Sequence, residues 1–151
     1  KELDKFGVDF IVVVCNTIHL FYDKLQKEIS TPILDLREEL RKFLIRKNVR
    51  TTSILGTPST VKNGLYKFNG IKYFNPTENE LKLLSSAIFN FNKGVEKKKQ
   101  TRFVKQVYKR YSGKVDVVIL GCTEFGVMLG EENNAINTID VLVNAVIEKI
   151  K

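Results

Sequence analysis

The sequence is poor in cysteine and lacks long apolar runs, and both shortages restrict the class of protein. Two cysteines in 151 residues are too few for a scaffold held by disulfides. No apolar run approaches the ~20 residues of a membrane-spanning helix. No apolar stretch of the signal-peptide type follows the charged residues at the start. We therefore expect a cytoplasmic protein with reduced thiols and no membrane partner.

The charge is unbalanced, with a formal net value of +8. Most of the excess lies on predicted helix faces or in the run Lys97–Lys99, where a solvated surface is the commonest meaning. No zinc-finger spacing or aromatic RNA-binding motif accompanies it, so we expect no nucleic-acid partner. A basic field equally attracts a small anionic substrate. The hydrophobic content of 43% is enough for a core.

Two distant stretches of the chain share one pattern. The run that starts at Val8 and ends at Cys15 matches, without a gap, the run that starts at Val115 and ends at Cys122. The offset is 107 residues throughout, and the two cysteines are the only ones in the chain. Each cysteine stands where an apolar run stops and polar residues begin.

Short β-branched runs of this kind predict strands buried on both faces of a parallel sheet. Ligands of such sheets bind at the carboxyl ends of the strands, where helix N-termini also point. A cysteine at that place lies near free N–H groups that favour its thiolate. The matched pair therefore predicts two activated thiols, Cys15 and Cys122. The alternative is two inert core cysteines, since free cysteine is often buried.

Strands and helices alternate along the chain, which predicts an α/β fold of right-handed parallel units. We expect two pseudo-symmetric lobes with parallel sheets flanked by helices, the first of them truncated. Residues 32–136 form the second lobe in this prediction, and residues 1–31 and 137–151 are what remains of the first. The predicted strands are 9–14, 49–55, 71–74 and the run before Cys122. The predicted helices are 1–6, 17–29, 36–47, 58–66, 76–92, 99–111, 123–129 and 138–150, with Asn133–Asn134 as a loop.

The loop Gly56–Thr60 follows the second predicted strand and is rich in hydroxyl groups. Its glycine permits a turn, and Pro58 suits the first turn of a helix. The hydroxyl groups of Thr57, Ser59 and Thr60, together with free N–H groups, can bind a carboxylate or a phosphate. Ordinary helix capping is the alternative, and it needs only one of these hydroxyl groups.

These motifs resemble those of a known family. Cys15–His19 and Gly121–Glu124 resemble the two signature motifs of the aspartate/glutamate racemase superfamily, and Gly56–Val61 resembles its middle motif, in the same order. His19 and Glu124 resemble the aspartate racemase branch. The Thr-Pro-Ser-Thr-Val loop is instead similar to glutamate racemases.

The resemblance implies a racemase that needs no cofactor and no metal and works as a homodimer. Cys15 and Cys122 exchange the roles of base and acid on opposite faces of the substrate. His19, four residues after Cys15, is expected to share a helix face with it and to orient the thiolate or the substrate, or else to be a packing residue. Lys93 lies near the place of a family lysine that pairs with the substrate side chain. The residues expected to bind the amino acid are Asn16, Thr17, Thr57, Thr60, Lys93, Thr123 and Glu124.

The chain also departs from the family pattern. The usual glycine-rich motif and the arginine-containing segment do not precede Cys15, and Asn137 stands where an aspartate is common. We therefore expect the 151 residues alone to be impaired as an enzyme. A broad-specificity or glutamate racemase is the near alternative to an aspartate racemase.

Three other kinds of protein stay open. Cys15, His19, Cys122 and Glu124 are all competent zinc ligands, although their spacing matches no standard structural zinc motif. A redox pair of thiols is the second, although there is no Cys-x-x-Cys. A basic, non-enzymatic binding module is the third, and it would show salt-sensitive nucleic-acid binding.

Overall fold

A four-stranded parallel sheet forms the centre of the molecule. The computed structural model describes residues 2–151. The strands lie in the order β2-β1-β3-β4 and every neighbouring pair is parallel. Their bounds are β1 Thr51–Gly56, β2 Lys72–Tyr73, β3 Val117–Gly121 and β4 Ala135–Asn137. The predicted α/β class with a parallel sheet is confirmed.

Helices cover both faces of the sheet. Their bounds are α1 Tyr22–Lys27, α2 Leu36–Arg46, α3 Pro58–Lys62, α4 Glu78–Asn92, α5 Lys97–Ser112, α6 Thr123–Leu129 and α7 Thr138–Ile150. On one face, α2 and α7 pack against Ile54 and Ile119. On the other, α4, α5 and α6 pack against Leu55, Val118 and Leu120. The central strands β1 and β3 bury side chains on both faces because both faces are covered. No helix within residues 2–151 is long and apolar enough to cross a bilayer.

Caps fix where several helices begin. Asp35 accepts a hydrogen bond from the backbone of Arg37 and starts α2, as its sequence position predicts. Thr77 and Glu80 form a capping box at the start of α4. The predicted bounds of α6 and α7 agree with the structure.

The predicted first strand, residues 9–14, is wrong. In the described chain this segment pairs through one isolated bridge, Ile11 with Ile33. Ile11 N donates to Pro32 O at 2.8 Å, and Leu34 N donates to Ile11 O at 2.8 Å. The side chain of Val14 is 60% exposed instead of buried. An apolar run makes a strand only where a neighbouring strand accepts its backbone, and here only a short loop does so.

Several other boundaries differ from the prediction, and the largest shift is at the end of α3, which is Lys62 instead of residue 66. The helix expected over residues 17–29 begins as a 3-10 helix, Thr17–Phe21, and continues as the short α1. The strand β4 follows the loop at Asn133–Asn134 and was not predicted, because three residues carry too little periodicity to be recognised. The helix α7 packs in the same core as α2. The division into lobes at residues 32 and 136 stays a prediction.

Candidate active site

The candidate site lies at the carboxyl edge of the sheet. Gly56 at the end of β1 is the register partner of Gly121 at the end of β3, so the loops that follow both strands start side by side. A β-carbon added to Gly121 would lie 3.2 Å from Leu55 O and 3.4 Å from the Thr60 methyl group. Glycine is therefore needed for this close approach, and it brings Thr60 next to the strand that delivers Cys122.

Cys122 is the residue before α6, and its half-buried thiol is hydrogen-bonded to a carboxylate. Sγ donates to Glu124 Oε2 at 2.9 Å, and Thr123 Oγ1 donates to the same oxygen at 2.9 Å. The other oxygen, Oε1, accepts from Asn92 Nδ2 at 2.7 Å. Burial opposes ionisation of Glu124, but these hydrogen bonds outweigh it and lower the pKa of the carboxyl group.

The pKa of Cys122 is raised to about 12, first by burial and then by the hydrogen bond and charge of Glu124. The backbone N–H of Glu124 acts in the opposite direction, as expected at a helix N-terminus, but it is outweighed. The helix start therefore favours the Cys122 thiolate as expected, but the prediction of an activated thiol is wrong for Cys122 because burial and the Glu124 carboxylate outweigh this effect. At neutral pH, Cys122 is a protonated thiol and a proton donor.

The loop after Cys15 is attached at the same edge of the sheet as Cys122, through Thr17 and Thr60. Cys15 ends the extended segment, and Asn16 is the residue before the 3-10 helix Thr17–Phe21. Thr17 Oγ1 lies 3.0 Å from Thr60 Oγ1, so a hydroxyl pair connects the Cys15 loop to the loop after β1. Both cysteines are free thiols in the described chain.

The hydroxyl groups of the middle loop are engaged with one another. Thr57 Oγ1 accepts from Thr60 N at 3.2 Å and so caps α3. Thr57 Oγ1 and Thr60 Oγ1 are 3.2 Å apart, and Thr60 is fully buried. Capping therefore accounts for Thr57, whereas Thr60 bridges to the Cys15 loop. Ser59 is exposed and accepts a hydrogen bond from Asn63.

Asn16 is 3% exposed and is held by a residue that the sequence did not indicate. The hydroxyl of Tyr66, which is fully buried, donates to Asn16 Oδ1. Burial raises the pKa of Tyr66, so the phenol stays protonated and remains a donor. The Nδ2 group of Asn16 is buried and has no hydrogen-bond partner among the described atoms.

His19 is buried and faces the backbone instead of a thiol. Its Nε2 lies 3.2 Å from Val13 O, and the ring stacks on Tyr22. Burial lowers the pKa of His19, so the ring is neutral at neutral pH. Cys15 precedes the 3-10 helix that contains His19, so the predicted sharing of a helix face is wrong.

Lys93 caps the end of α4 and is exposed, with its Nζ 4.2 Å from the centre of the Phe89 ring. Its neighbour Asn92 instead reaches Glu124. No group of three or more potential metal ligands lies together within residues 2–151. The geometry therefore gives no support to a zinc site built from Cys15, His19, Cys122 and Glu124.

The fold and the paired cysteine loops define the class of this protein by similarity. The aspartate racemase of Picrophilus torridus superposes with a TM-score of 0.82 at 23% identity, covering 98% of this chain and 64% of that one. An aspartate racemase homologue from Pyrococcus horikoshii superposes with a TM-score of 0.74 at 24% identity, covering 97% and 69%. At these identities, the likeness shows a shared fold.

The sequence comparisons give the family. The family model described as Asp/Glu/Hydantoin racemase matches residues 1–146, and the chain belongs to this family. The broad-specificity amino-acid racemase RacX of Bacillus subtilis is 30% identical over 146 residues, covering 92% of this chain and 62% of its own length. The glutamate racemase of Aquifex pyrophilus is 30% identical over 143 residues, covering 90% and 54%. The chain thus spans a little more than half the length of these curated relatives.

Proposed function

We propose that this chain carries the paired thiols of a cofactor-independent amino-acid racemase that acts on aspartate. The observation that supports this is the hydroxyl pair of Thr17 and Thr60, which joins the loop after one free cysteine to the edge of the sheet that delivers the other. Racemisation removes the α-proton from one face and returns a proton to the other. Two acid/base groups on opposite faces do this without moving the substrate.

In the proposed mechanism Cys122 starts as the acid. Its raised pKa keeps the proton on Sγ, ready for delivery to the α-carbon. Cys15 acts as the base and removes the α-proton from the other face. When Cys122 has given up its proton, its thiolate stands beside the carboxylate of Glu124. The repulsion favours return of a proton to Cys122, which supports turnover in both directions.

The substrate is held, in this proposal, by the groups around the two thiols. Donor and hydroxyl groups of the Cys15 loop and the neighbouring loops bind the amino and carboxylate groups, and Lys93 pairs with the substrate side chain. The proposed binding residues are Asn16, Thr17, Thr57, Thr60, Lys93, Thr123 and Glu124. The net charge of +8 attracts a dicarboxylic amino acid. We propose a homodimer in the cytoplasm as the working form.

Aspartate is the preferred substrate in this proposal because His19 and Glu124 resemble the aspartate branch. A broad-specificity amino-acid racemase is the second candidate. The similarity to the RacX protein of B. subtilis favours it.

The test is α-proton exchange in D2O, followed by NMR without added pyridoxal phosphate. L- and D-aspartate, and separately L- and D-glutamate, are incubated with the wild type, Cys15→Ser and Cys122→Ser. We expect each serine variant to lose exchange with one enantiomer more strongly than with the other, because each thiol serves one face. Equal loss with both enantiomers, or exchange that survives both substitutions, would contradict the two-base mechanism. Comparable rates with aspartate, glutamate and apolar amino acids would favour the broad-specificity enzyme.

A further inference from the structure

The buried pair of Tyr66 and Asn16 has an unused donor. The amide oxygen of Asn16 is occupied by the Tyr66 hydroxyl, whereas its Nδ2 has no partner among the described atoms. Buried polar groups in proteins are nearly always hydrogen-bonded. Asn16 directly follows Cys15, so the unpartnered donor belongs to the loop that carries one of the two thiols.

A second tyrosine–asparagine pair in the same molecule shows how such a contact is completed when it is structural. Tyr108 donates to Asn134 Oδ1 at 2.6 Å, at the amino edge of the sheet. There the amide nitrogen of Asn134 also donates, to Ser112 O at 2.8 Å. Both ends of the Asn134 amide are satisfied within the fold. The pair at Asn16 has the same tyrosine contact but leaves its nitrogen available.

The Tyr66 contact determines which end of the Asn16 amide is available. A phenol that keeps its proton donates to the amide oxygen, and the two ends of an amide point about 120° apart. The NH2 group is therefore turned away from Tyr66. An NH2 group is a donor only, so it suits a carboxylate and cannot accept from an ammonium group.

We propose that Tyr66 is a positioning residue that fixes the Asn16 amide so that its NH2 group binds the carboxylate of the amino-acid substrate. This rests on the proposed function, and it adds a residue fifty positions away from the cysteine motif to the machinery of the site. Without the phenol hydroxyl, the amide can rotate and present its oxygen, which repels a carboxylate.

The first measurement needs no substrate. Side-chain amide resonances are recorded from protein labelled with 15N-asparagine, and the Asn16 pair is assigned from its loss in Asn16→Ala. We expect Tyr66→Phe to shift these resonances and to speed their exchange with water. The matched control, Tyr108→Phe, should move Asn134 and leave Asn16 unchanged. Asn16 resonances that do not respond to Tyr66→Phe would overturn the positioning role.

The second measurement uses L-aspartate and the α-proton exchange rate. In Tyr66→Phe, water can bind the Asn16 amide in its rotated orientation, so a smaller fraction of the protein presents the NH2 group to the substrate. We therefore expect KM to rise on the order of 3- to 10-fold, with kcat nearly unchanged. In an Asn16→Ala background, the same substitution should add nothing to KM, because its effect passes through Asn16. Tyr108→Phe should leave KM unchanged, and thermal melting of all variants checks that they fold.

The outcomes separate the two proposals. A fall in kcat at constant KM, or an equal rise of KM in both backgrounds, would overturn the positioning role of Tyr66. Absence of α-proton exchange in the wild type with every amino acid tried would refute the proposed function. In that case the resonances recorded without substrate still show whether Tyr66 fixes the Asn16 amide. Addition of L-aspartate then tests the carboxylate-binding role of Asn16, and Asn16 resonances that do not move would overturn that role.

Discussion

Replacing Glu124 by glutamine is expected to make Cys122 a stronger acid. Burial is the largest cause of the raised pKa of Cys122, and the hydrogen bond and charge of Glu124 come next. A hydrogen bond to a charged group contributes about 1.5–3 kcal/mol. Since one pH unit corresponds to about 1.4 kcal/mol, loss of the charge should lower the pKa of Cys122 by roughly one to two pH units. Burial is unchanged by this substitution, so part of the elevation should remain.

The lower pKa of Cys122 should appear as faster alkylation. At pH 8 the thiolate fraction rises about 10- to 100-fold for this change. Thiolates of lower pKa are weaker nucleophiles, with a Brønsted coefficient of about 0.4–0.5, so the net gain in rate is roughly 3- to 16-fold. Iodoacetamide labelling followed by mass spectrometry measures it in a Cys15→Ser background, where Cys122 is the only thiol.

The control is Glu131→Gln, which removes an exposed carboxylate and changes the net charge equally. Its alkylation rate should match that of the parent. An unchanged rate in Glu124→Gln would mean that burial alone keeps Cys122 protonated. Slower alkylation of Glu124→Gln would refute the prediction that Glu124 raises the pKa of Cys122, because Glu124 would then act as a base that activates the thiol.

Three further predictions concern stability, measured by urea unfolding. Burial lowers the pKa of His19 below its ordinary value of 6.5, so on acidification the unfolded chain binds a proton at this residue before the folded chain does. The free energy of unfolding should therefore fall as the pH drops through about 6.5. The variant His19→Gln should show a smaller fall between about pH 7.5 and pH 5.5. Gly121→Ala places a methyl group 3.2 Å from a backbone oxygen of β1 and should cost about 1–3 kcal/mol, whereas Gly113→Ala, with open space, should not. Leu40→Ala in the core should cost about 2–5 kcal/mol. Leu83→Ala on the exposed side of α4 should cost far less.

The parts of the fold that local pattern determines could be predicted. The apolar runs that became β1 and β3 lie between two helical layers, and cap residues such as Asp35 act over one helical turn. The run at residues 9–14 is as rich in β-branched apolar residues as the run that forms β3, but its structure depends on which backbone lies beside it. Composition does not specify that neighbour.

The candidate site was predictable in its residues and less so in its chemistry. The matched motifs indicated Cys15 and Cys122, and the structure attaches the Cys15 loop at the edge of the sheet that delivers Cys122. The protonated state of Cys122 is set by burial and the Glu124 carboxylate, which together outweigh the backbone N–H at the helix start, and a helix-terminus argument underestimates both. Tyr66 and Asn92 act across 50 and 32 residues, so no local pattern could have indicated them.

The two cysteines differ in how firmly the backbone around them is hydrogen-bonded. Cys122 follows the central strand β3, which is bonded on both sides, so it cannot shift without disturbing the sheet. Within residues 2–151, one β-bridge pairs the segment before Cys15, and the loop after it is attached through the hydroxyl pair at Thr17 and the amide at Asn16. Displacing Cys15 breaks only a few hydrogen bonds. We therefore expect Cys122 to keep a constant position in the sheet. The distance between the two sulfur atoms should change through movement of the loop that carries Cys15 when a ligand binds between them.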